Sequence, residues 1–158
     1  MNDTYSNSAI DVHFRFLSAL CPPEQFGYAT AGSAGIDLRA CIEEREITLA
    51  PGRRHAFPAG VAMDIRTPGI AGFIYSRSGL GAREGVTVSQ GVGVIDPDYR
   101  GELIVSLLNT SSEPRTIRRG QRIAQLIFAP VCRANIVPVR QLSETDRGAG
   151  GFGHTGKH

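Results

Sequence analysis

At 158 residues the chain fits one domain, large enough to bury roughly two-thirds of the surface its unfolded form exposes, and needs no second. Its 17 basic and 15 acidic residues leave a net charge of +2, which excludes a general nucleic-acid binder acting through a basic surface and makes any anion site local. No apolar run approaches the roughly 20 residues that span a bilayer, and the Met1-Asn2-Asp3-Thr4 start lacks a basic-then-apolar signal pattern, so the expectation is a soluble cytoplasmic protein with no membrane partner.

Cys21, Cys41 and Cys132 are far apart and form no Cys-x-x-Cys pair, which reads as free thiols. Turn residues recur at Ala50-Pro51-Gly52, Phe57-Pro58-Ala59-Gly60, Thr67-Pro68-Gly69, Arg119-Gly120 and Ala129-Pro130. The intervals between them are short and rich in Val, Ile, Phe and Thr, the pattern of an all-β barrel or sandwich. In chain order the expected strands lie near Asp11 to Phe16, Ile36 to Ala40, Ile47 to Leu49, His55 to Ile65, Gly72 to Tyr75, Val86 to Ser89, Leu103 to Asn109, Gln125 to Val131 and Asn135 to Val139. Only Ser78 to Glu84 reads as a helical turn. Val92, Val94 and Ile95 also favour a strand, Pro97-Asp98 supplies turn chemistry, and the expected product with the strand from Leu103 is a β-hairpin with Asp96 at its bend. The polar Gln141 to Asp146 stretch reads as a linker.

Five segments carry candidate chemistry. In Ala31-Gly-Ser-Ala-Gly-Ile-Asp37-Leu-Arg39-Ala40, small residues lead to an Asp entering a strand. Asp37 either orients an arginine or a metal-bound water, or is a buried ion-pair partner for Arg39 or a distant Arg. In Tyr75-Ser-Arg77-Ser78-Gly79-Leu-Gly81, a guanidinium and a hydroxyl stand at the start of the helical turn. Exposed amide N–H groups and paired hydrogen bonds from Arg77 suit a phosphate there; the ordinary alternative is an N-cap Ser beside a surface Arg. In Gly91-Val-Gly93-Val94-Ile95-Asp96-Pro-Asp-Tyr99-Arg-Gly101, two glycines leave a strand bare, which signals a bulge or a ligand approaching the backbone. Asp96 is then a chemical group or simply a turn stabiliser. In Arg118-Arg-Gly-Gln-Arg122-Ile-Ala-Gln125-Leu-Ile-Phe128, Gln125 could donate to a phosphate, or the arginines Arg115, Arg118, Arg119 and Arg122 form a solvated turn and Gln125 a satisfied polar residue in a sheet. Arg147 to His158 ends the chain, with five glycines in the ten residues to Gly156. Such a tail builds no core and orders only against a ligand or another surface, so it is either a closing flap or a disordered end.

These five segments, in this order from Ala31 to Gly156, resemble the five motifs of the homotrimeric dUTPases, which convert dUTP to dUMP and diphosphate. The resemblance implies a β jelly-roll subunit spanning residues 1–140, with 141–158 as linker and flap. It implies a homotrimer whose three sites are each assembled from several subunits, the tail crossing to close a neighbour's site. Asp96 is then the base that activates a water for in-line attack on the α-phosphorus, work of a kind that contributes on the order of 10²- to 10⁴-fold in rate. Tyr99 lies beneath the deoxyribose and excludes a 2′-hydroxyl. Main chain around Gly93, Val94, Ile95 and Asp96, and near Ile104, reads uracil, where two unpaired amides at roughly 1 to 3 kcal/mol each would reject cytosine. Arg77, Ser78, Gly79 and Gln125 hold the phosphates, and Arg147, Phe152, Gly153, His154 and Thr155 complete the closed site. Mg²⁺ rides on the triphosphate through phosphate oxygens and waters, with no direct side-chain ligand expected.

The chain departs from the family pattern at three positions. Ser76 stands where relatives often have Pro, Gln90 where many use Asn to contact uracil, and His154 where Ser or Thr is common. The longer amide of Gln90 reaches differently or points away, and His154 is titratable near neutral pH. Two rivals remain. The dCTP deaminases share the Ile-Asp-Pro hairpin but need a Glu ten residues after the Asp, where this chain has Ser106. A nucleotide-dependent regulatory trimer is the other.

Overall fold

The computed structural model describes residues 9–151. The expectations for Phe152, Gly153, His154 and Thr155 lie outside the described residues. Among those residues the strands are β1 (Val12–Phe16), β2 (Ile36–Arg39), β3 (Glu46–Leu49), β4 (Arg54–Ile65), β5 (Ile70–Ser76), β6 (Val86–Val88), β7 (Val92–Ile95), β8 (Glu102–Asn109), β9 (Arg115–Arg118) and β10 (Arg122–Pro130), with helix α1 over Ser78–Glu84. A 3₁₀ turn at Pro23–Gln25 follows β1. The helical turn falls where the sequence placed it, and its end is set by Gly85, whose φ of 67° is a left-handed cap open to glycine at little cost.

The strands pair in two four-stranded sheets, ordered β1-β4-β8-β6 and β2-β10-β5-β7, with β3 and β9 forming a separate pair. All pairings are antiparallel. Period-2 alternation explains the core: on β8, Leu103, Val105 and Leu107 are buried, while Ile104, Ser106 and Leu108 lie on the other face. They meet Phe57 and Val61 of β4, Leu38 of β2 and Ile123 and Leu126 of β10 in one apolar cluster. Asn109 is fully buried among them and is satisfied there, its amide donating to Leu49 O at 2.9 Å and Glu113 O at 2.7 Å. The result is a β jelly-roll.

Three expectations need correction. The anticipated hairpin across Asp96 does not form, because β7 pairs with β5 in one sheet while β8 pairs with β4 and β6 in the other. Asp96 therefore sits on a connection between sheets. The strand expected at His55 to Ile65 forms as the 12-residue β4, and the Phe57-Pro58-Ala59-Gly60 turn residues lie inside it as a register irregularity between Pro58 and Ala62, a place where strand Pro is tolerated. There Gly60, at φ 71°, gives its N–H to Glu102 Oε1 at 2.8 Å, and a Cβ on it would come 2.6 Å from Cys41 Sγ. No strand forms at Asn135 to Val139: the segment runs exposed, with Ile136 at 87% and Val137 at 67% accessibility, because no strand among the described residues lies beside it to take its main-chain bonds. Last, β9 was missed. Its Arg-Thr-Ile-Arg sequence buries only Ile117 and reads as turn until β3 supplies a partner.

Candidate active site

Strand β5 organises the candidate residues. Gln125 on β10 stands between Asp37 of β2 and Tyr75 of β5 in register, so these three share one face of the sheet. On its other side β5 pairs with β7, Tyr75 opposite Val92 and Gly72 opposite Ile95. Arg77 continues from one end of β5, and Asp96 follows the residue paired with Gly72 near the other. At about 3.3 Å per strand residue, five residues separate these two ends by about 17 Å.

At the Arg77 end, the Asp37 carboxylate is buried and accepts Arg77 Nε on Oδ1 and Arg122 Nη1 on Oδ2, each at 2.9 Å. Arg39 is not its partner; that guanidinium donates to Gln25 O and Gly120 O. Charge-assisted bonds of this kind fix a guanidinium's direction as well as its position. Arg77 is also the N-cap residue of α1 and makes no side-chain cap, so Ser78 is the first helical residue, exposed, and Gly79 the second, with nothing within 4 Å of where a Cβ would stand. First-turn N–H groups have no intrahelical acceptor. A cleft of about 310 Å³ opens here, lined by Arg77, Gly79, Leu80, Arg83, Glu84, Gln121 and Arg122. Its three guanidiniums outnumber the Glu84 carboxylate in the lining and the Asp37 carboxylate behind it, which leaves a net positive charge suited to an anion.

The arginines that one of the two readings gathered in a solvated turn are instead distributed. Arg119 donates to the carbonyls of Ile42 and Glu43, Arg115 to Ser111 Oγ, and Arg118 pairs with Glu46. Arg122 is the residue sequence reasoning missed: its partner lies 85 positions away on β2, and no local pattern announces it.

At the other end, β7 is an edge strand, so the main-chain groups on its outer side have no strand partner among the described residues. Gly93 is buried, and a Cβ there would press to 3.3 Å from Ile74 and 3.4 Å from Gln90 Nε2. Val94 is exposed, Ile95 packs on the core, and Asp96 is exposed with its carbonyl accepting Tyr99 N at 3.1 Å. The Tyr99 phenol donates to Glu102 O at 2.9 Å and lies over Gly101, where any side chain would overlap it. Ile104 is exposed on β8 opposite Pro58. The Gln90 side chain turns back onto its own loop and strand. Its Oε1 accepts from Ser89 Oγ at 3.0 Å, and its Nε2 lies beside Gly93. Arg147 makes a local bond, Nε to Gly150 O at 2.9 Å. The structure thus gathers Asp37, Arg77, Ser78, Gly79 and Gln125 at one end of β5, where Gln90 precedes Val92, and carries β7 from there through Gly93, Val94 and Ile95 to Asp96 and Tyr99 beyond the other end, while Ile104 stands on the other sheet.

Among the described residues no cluster of three His, Cys, Asp or Glu side chains could hold a metal ion, and both Asp37 oxygens already face guanidiniums.

Residues 24–156 match the family model described as dUTPase. The chain is 51% identical over 131 residues to a deoxyuridine 5'-triphosphate nucleotidohydrolase of Ectopseudomonas mendocina (strain ymp), covering 83% of this chain and 86% of the relative. In architecture it is similar to a mutant dUTPase of Staphylococcus bacteriophage 80alpha with dUpNHpp, at a TM-score of 0.79 and 22% identity over 92% of this chain and 98% of that one. It is also similar to a mutant dUTPase from phage phi11 of S. aureus, described for coordination of a structural Mg(II) ion, at a TM-score of 0.73 and 19% identity over 85% and 99% of the two chains. The two structural likenesses establish the fold alone, whereas the family model and the sequence relative together establish that the chain belongs to the dUTPase family.

Proposed function

We propose that the chain hydrolyses dUTP to dUMP and diphosphate, which limits uracil in DNA and supplies dUMP for dTMP synthesis. The observation that carries this reading, within a dUTPase, is Asp96: an exposed carboxylate at the end of an edge strand whose outer main chain has no strand partner among the described residues. Uracil presents acceptor, donor and acceptor along one edge, which unpaired N–H and C=O groups near Gly93 to Asp96 can match. Tyr99, braced by its bond to Glu102 O, supports the deoxyribose. The Asp96 carboxylate takes a proton from the attacking water as the new oxygen bond forms at the α-phosphorus. The bond from that phosphorus to the bridging oxygen breaks, and diphosphate leaves.

Arg77 spends Nε on Asp37 and keeps its two Nη groups for phosphate oxygens. Ser78, Gly79 and Gln125 complete that cradle. Mg²⁺ would be carried by the triphosphate and its waters rather than by this cradle, and would neutralise phosphate charge there. Asp37 keeps acceptor capacity for a water bound to that ion.

The separation of about 17 Å between the two ends of β5 supports a site shared between subunits, since Asp96 and Arg77 of one chain cannot meet at a single phosphorus. The exposed apolar residues Ile136, Val137, Val139 and Leu142 support the same conclusion, for they await a surface in another subunit. We assign a homotrimer on these grounds, with residues 1–140 as the jelly-roll unit and 141–158 as linker and flap. Arg147, Phe152, Gly153, His154 and Thr155 would close that flap over the nucleotide, in the cytoplasm where dUTP arises.

The deciding test is chromatography of products after incubating purified protein with Mg²⁺ and dUTP, dCTP, dTTP or UTP separately. dUMP and diphosphate from dUTP alone is the expected result. dUTP formed from dCTP would revive the deaminase, and no conversion would favour the regulatory trimer.

A further inference from the structure

We propose that Ser89 and Ser106 are positioning residues for base recognition: they hold the Gln90 carboxamide with its Nε2 turned to Gly93, where it donates to a carbonyl oxygen of the base. The inference rests on the dUTP reading above and assigns specificity to two hydroxyls with no other part in the site.

The geometry is a short relay. Gly91 N donates to Val88 O at 3.0 Å with Gly91 at φ 81°, closing a turn that carries Gln90 at its tip. Ser89 is locked to β8 by its N–H, which donates to Ser106 O at 2.8 Å. The Ser89 hydroxyl lies 2.8 Å from Ser106 Oγ and 3.0 Å from Gln90 Oε1, in line to donate to each. One proton fills one bond at a time. An amide oxygen only accepts, so when Ser89 donates to Oε1 the Ser106 hydroxyl supplies the proton for the other bond. With Oε1 tied down, Nε2 is the end beside Gly93, at 3.4 Å from where its Cβ would stand. A glycine leaves that space open. The NH₂ complements a base carbonyl and opposes the exocyclic amine of cytosine, whereas a flipped amide would offer an oxygen and favour cytosine.

Steady-state kinetics on the full chain test this. Ser89→Ala is expected to raise KM for dUTP about tenfold with kcat within about twofold, and to weaken rejection of dCTP as a competitor. Ser106→Ala should shift both a few-fold in the same direction, and Ser106→Thr, which keeps the hydroxyl, should restore them. In a Gln90→Ala background, Ser89→Ala should change nothing further. Effects that multiply in the double variant, equal losses in kcat, or no rescue by Thr would overturn the proposal. A second readout needs no turnover: the Gln90 side-chain amide resonances of nucleotide-free protein should move toward free-amide positions in Ser89→Ala, and unmoved resonances would overturn the relay. Wild-type protein that leaves dUTP intact while those resonances respond would sink the dUTPase reading and leave the relay standing.

Discussion

Arg77 Nε lies 2.9 Å from Asp37 Oδ1, across a contact in which the aspartate side chain is 10% exposed and the arginine 26%. The same carboxylate takes Arg122 on its other oxygen, so one acidic group sets the direction of two cations beside the anion cleft. Replacing Asp37 with Asn removes the charge that both arginines answer. The expected cost is about 1–3 kcal/mol in urea unfolding, the range for hydrogen bonds to charged groups with partial solvent relief. KM for dUTP should rise about tenfold, because Arg77 then samples directions away from phosphate. Lower stability with an unchanged KM would confine Asp37 to holding the fold.

Asp96 is exposed and belongs to no ion pair among the described residues, so its replacement should disturb chemistry more than structure. Asp96→Asn keeps the shape and removes the proton acceptor. The expected loss in kcat is about 10²- to 10⁴-fold, with nucleotide affinity changed much less. Comparable losses in both, read by single-turnover rates and equilibrium binding, would make Asp96 a binding residue.

Ending the chain after Asp146 removes Arg147 and the glycine-rich tail but none of the strands. The oligomer measured by size-exclusion chromatography should be unchanged, while hydrolysis falls by about 100-fold or more. A full rate without these residues would refute their closing role.

Cys21 and Cys41 are buried against each other around Gly60, and Cys132 is exposed. Burial pushes the Cys21 thiol from the ordinary 9.0 up to about 12; the hydrogen bond with Cys41 and its charge add to this, and Arg39 acts weakly in the opposite direction. Since the folded value is the higher one, the unfolded chain loses this proton first. The contribution is intact below about pH 9 and is lost as pH rises from there toward about 12. Urea midpoints measured across that window should fall for the wild type more than for Cys21→Ala. Parallel curves for the two would show that Cys21 titrates alike in both states. In native protein at neutral pH a thiol reagent should label one cysteine rapidly, Cys132, and the other two only slowly.

The sequence by itself determined most of the strands, the short helix and the family, because these rest on local chemistry. Alternation on Leu103 to Asn109 needs only its neighbours to be legible, and Ser78 to Glu84 is bounded by residues within one turn. What only the tertiary structure decided is which segments meet. Asp37 could have served Arg39, two residues on; the sheet register instead placed it beside Arg77 and Arg122. The strand before Asp96 could have folded back on the strand after it; pairing with β5 was available and carried it to the other sheet. Asn135 to Val139 has strand composition, yet among the described residues it has no partner. Gln90 could not be aimed from sequence, because the hydroxyl that braces Ser89 belongs to Ser106, on a different strand. Side-chain propensity is a property of a few consecutive residues, whereas hydrogen-bond partners and charge pairs are set by where distant strands are brought together, and that choice is made by burial of the whole core.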